Sequence, residues 1–189
     1  MKILGFFPIA VFVVAASVPA ANAQAIIYHY GQNQAETCAQ RVAVPDENSD
    51  TVLHLCEAAL NDEALSPATR AATLANTGII LMRQGNLDTA LSHLQDANAS
   101  AAASPDIAIN LGAVLVRLGR FDEAIDVLSY PQTVSSKRQH VAYYNRALAH
   151  WARNDIALAY EDLKTATAIK PDYVAARDML QYFKIAQVE

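Results

Sequence analysis

The chain has 189 residues, of which 53% are hydrophobic and 17% charged, and its net charge at pH 7 is −5. A chain of this length is typical of one domain. Because it is mildly acidic and has no block of basic residues, its composition argues against binding to nucleic acid or to an anionic membrane surface.

The N-terminus predicts a signal peptide over residues 1–23. Lys2 precedes an apolar run, and Ala21 and Ala23 frame an A-x-A cleavage site. The run is shorter than the about 20 apolar residues that span a bilayer, so we expect cleavage after Ala23 rather than retention as an anchor. Cleavage after Ala20 is the alternative. The mature protein is therefore expected in the periplasm or secreted, with no stable membrane insertion.

Two cysteines, Cys38 and Cys56, follow the leader. In an exported chain an even cysteine count indicates a disulfide, and closing this loop contributes about 3 kcal/mol in the chain-entropy model. A metal site that adds His54 to the two thiolates is the other interpretation, but it lacks a fourth ligand and a C-x-x-C spacing. The sequence thus predicts an N-terminal segment, residues 24–49, tied down by a Cys38–Cys56 bridge.

Residues 50–65 are interpreted as a half-repeat, a single helix that leads into the helices that follow. Ser66 and Pro67 form an N-cap and first-turn pair for the next helix. Ser104 and Pro105 repeat that helix start further along the chain.

Three segments then repeat one pattern: NTGIILMRQGNLDTALSHL (76–94), NLGAVLVRLGRFDEAIDVL (110–128) and NRALAHWARNDIALAYEDL (145–163). In each copy one small residue removes bulk where two helices cross: Gly78, Gly112 and Ala147. A second residue ends the first helix in a left-handed conformation: Gly85, Gly119 and Asn154. The second helix offers an alanine and a leucine to the crossing: Ala90 and Leu94, Ala124 and Leu128, Ala159 and Leu163.

The copies follow one another at 34 and 35 residues. This spacing and the shared small and apolar positions resemble the tetratricopeptide repeat family, over about residues 71–173. The third copy also carries the family's Ala166 and Pro171, whereas the second has Pro131 where alanine is usual. Proline stops a helix, so we expect the second unit to end near Tyr130 and a longer loop to follow.

The resemblance implies an all-α fold, a short right-handed α-solenoid of helix-turn-helix repeats spanning residues 50–189. The expected repeats are about 71–104, 105–138 and 140–173, and a capping helix at 174–187 covers the last apolar face.

In that family the first helices of successive units line a concave groove that holds peptides or partner proteins. Carried over slot by slot, the groove here comprises Ala75, Ile79, Met82, Arg83, Ile109, Ala113, Val116, Arg117, Tyr144, Leu148, Trp151 and Ala152. It is mostly apolar, as binding surfaces often are. The alternative is that tight curling or the N-terminal segment covers these side chains.

Asn76, Asn110 and Asn145 occupy one slot in all three units. Stacked units would set them in a ladder, and an amide both donates and accepts hydrogen bonds. The ladder can therefore hold an extended peptide backbone, unless each asparagine bonds to a neighbouring helix instead.

The sequence predicts no enzyme, no metal site and no cofactor. The five histidines lack metal-binding spacing, and no P-loop or nucleophile elbow occurs. His93 and His150 are expected as surface or packing residues. Four acidic residues are expected on solvated helix faces: Asp122, Glu123, Glu161 and Asp162. The favoured function is an exported adaptor or scaffold for a peptide or an envelope protein, and the alternative is a self-associating structural element, such as a homodimer.

Overall fold

A computed structural model describes residues 34–44, 49–62, 64–100, 104–130 and 137–185. The predicted signal peptide, residues 24–33 and most of the loop after Tyr130 lie outside the described residues. The described elements are helices: α1 (34–42), α2 (Ser49–Leu60), α3 (Pro67–Gln84), α4 (Leu87–Ala99), α5 (Pro105–Arg117), α6 (Phe121–Leu128), α7 (Gln139–Ala152), α8 (Ile156–Ile169) and α9 (Val174–Ile185).

From α2 to α9, each helix packs against the one before it, and α5 also contacts both α3 and α7. The first helices of the three repeats therefore lie side by side, and the second helices form the other layer. Contacts restricted to neighbouring units are the pattern of a solenoid. The predicted all-α solenoid is confirmed.

The small residues of the repeat mark close helix crossings, as predicted. A Cβ atom added to Gly78 would lie 2.7 Å from Cγ of Leu94, and one added to Gly112 would lie 2.5 Å from Cγ of Leu128. Ala147 is fully buried in the equivalent slot. The glycines are therefore required by packing between the two helices of a unit.

The turn between the two helices of each repeat is left-handed, also as predicted. Gly85 has φ +85°, Gly119 has φ +74° and Asn154 has φ +66°. In the first repeat the N–H of Gly85 donates to the carbonyl of Met82 and the N–H of Asn86 to that of Leu81, at 3.1 and 2.9 Å. This pair of bonds is a Schellman motif, which satisfies the last carbonyls of a helix.

The predicted helix ends are largely confirmed. Ser66 caps α3 by accepting a 3.1 Å hydrogen bond from the N–H of Thr69, and Pro67 occupies the first turn. Ser104 stands at the same position before α5, although its side chain makes no capping bond. Helix α6 ends at Leu128, close to the stop that Pro131 predicts.

The predicted disulfide joins Cys38 of α1 to Cys56 of α2, with the two Cα atoms 5.0 Å apart. Residues 34–42 are helical and pack with α2 and α3 through Cys38, Val42 and Ile80. The helix predicted as a half-repeat thus has a partner helix, and α1 and α2 form a further hairpin at the start of the array.

The prediction that Asp162 faces solvent is wrong. Only 6% of Asp162 is exposed, and its carboxylate is paired with Arg146. The third repeat has Arg146 and Asp162 where the second has the apolar residues Leu111 and Val127. The acidic residue therefore lies in the interior, held by its partner. The other three acidic residues of that group are exposed as predicted.

Candidate binding groove

The groove predicted from the sequence lies on the first helices α3, α5 and α7. The structure leaves six of its twelve side chains half-buried, which places them at the surface of the array: Ile79, Met82, Ala113, Val116, Tyr144 and Leu148. Ala75 and Ile109 are buried, whereas Arg83, Arg117, Trp151 and Ala152 are exposed. The groove is thus a mixed surface whose apolar side chains rest on the core and are still reachable.

The two groove arginines tie consecutive units together. Nη1 of Arg83 donates to the carbonyl of Val42 at 2.9 Å, and Nη1 of Arg117 donates to the carbonyl of Met82 at 2.5 Å. Each guanidinium therefore satisfies a carbonyl at the C-terminus of the preceding first helix, where cations are favoured. The shared position of the arginines was visible in the sequence, but the bond between units was not.

These two bonds also align the N-terminal hairpin with the repeats. Val42 and Met82 accept equivalent bonds, and each lies four residues after a small buried residue, Cys38 or Gly78. The same alignment places Glu36 in the slot of Asn76. The asparagine slot of the three repeats therefore begins, on α1, with a carboxylate.

An open cavity of about 370 Å³ lies where α1 meets α3. Its lining consists mostly of alanine and threonine, with two larger polar side chains: Ala35, Glu36, Ala39, Ala68, Thr69, Ala72, Thr73 and Asn76. The hydroxyl of Thr73 already donates to the carbonyl of Thr69, at 2.8 Å. The lining thus carries a carboxylate, Glu36, and an amide, Asn76, beside the threonine hydroxyls. We call this site the polar cavity.

The three asparagines differ in exposure. Asn76 and Asn110 are half-buried, whereas only 9% of Asn145 is exposed. A bound main chain would therefore reach the first two amides more readily than the third. The three asparagines occupy the same position of the repeat, but the neighbouring residues cover Asn145 more completely than the other two.

A second open cavity, of about 340 Å³, lies between α7, α8 and α9, at the other end of the array. We call it the aromatic cleft, and its lining is Trp151, Ile156, Met179, Tyr182 and Phe183. Trp151 is 54% and Tyr182 73% exposed, which is unusual for such large side chains. Of these residues the sequence predicted only Trp151 as a groove residue.

Helix α9 explains what the sequence analysis missed. It packs on α8 and buries Ala176, as a capping helix does, but it also lines the aromatic cleft. Met179 lies 34 residues after Asn145, and Tyr182 lies 34 residues after Leu148. Extending the repeat register by one more unit would therefore have identified both residues.

Ion pairs balance the charge beside the aromatic cleft. Arg153, in the turn between Trp151 and Ile156, is paired with Asp122 and with Asp155.

At the opposite end of α7, burial lowers the pKa of His140, which contacts the ring of Tyr173 edge-on with centroids 5.1 Å apart. Burial also raises the pKa of the Tyr173 hydroxyl.

The part of the chain that the structure describes holds no group of three or more histidine, cysteine, aspartate or glutamate residues able to bind a metal ion. Within those same residues, no helix is long and apolar enough to cross a membrane.

Stacked hairpins joined by left-handed turns define the class of this protein as an α-solenoid. Two tetratricopeptide repeat models match the sequence, one over residues 81–149 and the other over residues 140–173. Residues 81–173 of the chain therefore consist of tetratricopeptide repeats. Neither match is to an enzyme family.

Solved structures agree with this fold. MamA from Desulfovibrio magneticus RS-1 (residues 41 to the end) superposes with a TM-score of 0.65 at 18% identity, covering 85% of each chain. A MamA RS-1 double mutant gives 0.66 at 17% identity over the same shares. YrrB, described as a TPR protein with an unusual peptide-binding site, gives 0.60 at 21% identity and covers 70% of this chain and 66% of its own. No curated protein sequence matches the chain.

Proposed function

We propose that this chain is an exported, non-catalytic adaptor or scaffold that holds a peptide segment of another protein, such as an envelope protein, in its groove. The observation that carries the proposal is the presence of an open cavity at each end of one row of first helices. Support also comes from the tetratricopeptide repeats themselves and from the peptide-binding site that the description of YrrB names.

The polar cavity suits an extended main chain. The side chains of its alanines are short, so a peptide backbone can approach α1 and α3 closely. The amides of Asn76 and, one unit on, Asn110 can donate to peptide carbonyls and accept from peptide N–H groups. Such contacts would hold a segment without selecting its sequence.

The bonds between units favour a groove that is already formed. Arg83 and Arg117 fix α3 and α5 to the helices before them through backbone carbonyls. A rigid groove loses less conformational entropy when a ligand binds, which raises affinity. The apolar groove residues, among them Ile79, Met82 and Val116, would then contact the peptide side chains.

Export is supported by two features. The leader over residues 1–23 has the pattern of a cleaved signal peptide. The Cys38–Cys56 disulfide suits an oxidising compartment, because such bonds are rare where thiols are kept reduced. We therefore propose a periplasmic or secreted location.

Self-association is the second candidate. Its support is a set of exposed apolar residues outside the groove, which a second copy would cover: Leu158, Ile169 and Val174. A mass that rises with concentration would favour this structural role over the adaptor.

The test is site-specific photo-crosslinking in intact cells. A photoreactive residue placed at Asn110 should capture a partner protein, whereas one placed at Asn98 should not, since Asn98 is an exposed asparagine on the second helix α4. A product of twice the mass of the chain would instead indicate a homodimer. Equal capture at both positions would contradict binding in the groove.

A further inference from the structure

We infer that the partner segment carries a bulky, uncharged apolar side chain, of the phenylalanine, tryptophan or leucine type, and inserts it into the aromatic cleft. The inference rests on the proposed peptide-binding function and specifies the chemistry of the ligand at one end of the groove.

The dimensions of the cleft support this ligand. Its volume of about 340 Å³ lies within the range of small-molecule sites, roughly 300–1,000 Å³. A cavity of about 150 Å³ holds a benzene ring. The cleft therefore has room for one large side chain together with the main chain that carries it.

The residues around the cleft favour an uncharged ligand group. None of the described residues that line the cleft is acidic or basic, and the nearby Arg153 is paired with both Asp122 and Asp155. A charged side chain entering the cleft would lose hydration and gain no ion-pair partner among the lining residues, which is costly. The ring faces would return only a small part of that cost to a cation. An apolar side chain would instead remove the exposed rings of Trp151 and Tyr182 from water.

The row of slots along the groove favours a peptide over an acyl chain. From α1 to α9 the asparagine slot holds Glu36, Asn76, Asn110, Asn145 and Met179. This one slot is thus polar from α1 to α7 and apolar on α9, beside the apolar side chains of the neighbouring groove positions. A peptide matches this order because its main chain is polar and a single side chain can be apolar, whereas a hydrocarbon chain would have to leave the cleft along amides.

The test begins with selection of short random peptides on the disulfide-bonded protein. We expect the enriched peptides to share one aromatic or large aliphatic position. Trp151 is the only tryptophan in the chain, so a selected peptide should change its fluorescence directly. Tyr182→Ala should lower the affinity for that peptide about tenfold, since tyrosines in desolvated pockets often dominate binding.

Tyr130→Ala is the matched control, because Tyr130 is 64% exposed and does not line the cleft. The affinity of Tyr130→Ala for the selected peptide should equal that of the wild type. Both variants should keep the helical circular dichroism spectrum of the wild type. Enrichment of charged peptides, or an unchanged affinity of Tyr182→Ala, would overturn the inference.

The two failures can be told apart. If selected peptides depend on Asn76 and Asn110 but not on Tyr182, the groove function stands and the inference about the cleft is wrong. If no peptide is enriched at all, both fail. If decanoate shifts the Trp151 emission and the selected peptides do not, the occupant is an acyl chain and the inference is again overturned.

Discussion

Arg146 on α7 grips Asp162 on α8 with two parallel hydrogen bonds, from Nε to Oδ2 at 2.8 Å and from Nη2 to Oδ1 at 2.6 Å. The same guanidinium donates to the hydroxyl of Ser129, at the end of the preceding unit, at 3.0 Å. His150 lies beside the pair, with its Nε2 3.9 Å from Asp162. A charged cluster therefore occupies the space that apolar residues fill in the second repeat.

Asp162→Ala should destabilise the fold by about 1–3 kcal/mol, because it leaves the half-buried guanidinium of Arg146 without its carboxylate partner. The double variant Arg146→Leu, Asp162→Val installs the residues of the second repeat and should be close to wild type in stability. Urea unfolding measures both. Breaking the exposed Arg120–Glu123 pair is the control and should have little effect. A double variant as unstable as the single one would show that the ion pair itself is required.

Gly112→Ala should cost about 1–3 kcal/mol, because the added methyl group overlaps Leu128 in a packed crossing. Adding Leu128→Ala should offset part of the strain from that methyl group, although it removes apolar contact of its own. Thermal unfolding followed by circular dichroism would compare them. If Gly112→Ala is as stable as the wild type, the two helices are not held at this crossing.

Replacing the two cysteines by the glycine and leucine that pack together in the first two repeats tests whether the α1–α2 hairpin is equivalent to a repeat. Cys38 corresponds to Gly78, and Cys56 takes the place of Leu94, since both lie between buried residues at the same spacing on their helices. Reduction should cost the wild type about 3 kcal/mol in the chain-entropy model. Cys38→Gly, Cys56→Leu should be indifferent to reductant and more stable than Cys38→Ser, Cys56→Ser, which buries hydroxyls. The opposite order of the two variants would contradict the equivalence.

His140 should make the fold less stable as the pH falls. Burial, and then the positive charges of Lys170 and Arg138, lower its pKa below the ordinary value near 6.5, and Asp172 opposes them. The unfolded chain therefore binds the proton more readily, so this contribution is present above about pH 6.5 and is lost as the pH falls through and below that value.

The measurement is the unfolding free energy of the wild type and of His140→Gln across this pH range. The difference between the two curves should change with pH in the stated direction. Lys170→Gln removes one of the charges that lower the pKa and should weaken the dependence. Parallel curves for the wild type and His140→Gln would rule out the histidine as the cause.

Much of the fold could be predicted from the sequence because single residues meet local requirements of backbone conformation and packing. Gly85, Gly119 and Asn154 stand where the backbone must be left-handed, and few other residues tolerate that conformation. Gly78 and Gly112 stand where a methyl group would clash. These constraints act within one hairpin, so they recur with the period of the repeat and appear in the sequence as a pattern.

The first hairpin was harder to predict because its residues satisfy the same geometry with different chemistry. A disulfide replaces the small residue and the leucine, and the loop between its helices is longer, so the period is broken. The buried Asp162 was hidden for a related reason: its position in the interior depends on Arg146, on another helix.

The sequence by itself determined the repeat, the helix ends, the turns and the cysteine pairing, because each follows from the conformation or chemistry of residues within one unit. Only the tertiary structure decided which groove residues are open. Arg83 and Arg117 are held by carbonyls of the unit before them, Asn145 is nearly covered, and Tyr182 joins Trp151 in a cleft formed by three helices. Those properties depend on how neighbouring units pack, and the packing brings together residues that no single repeat contains.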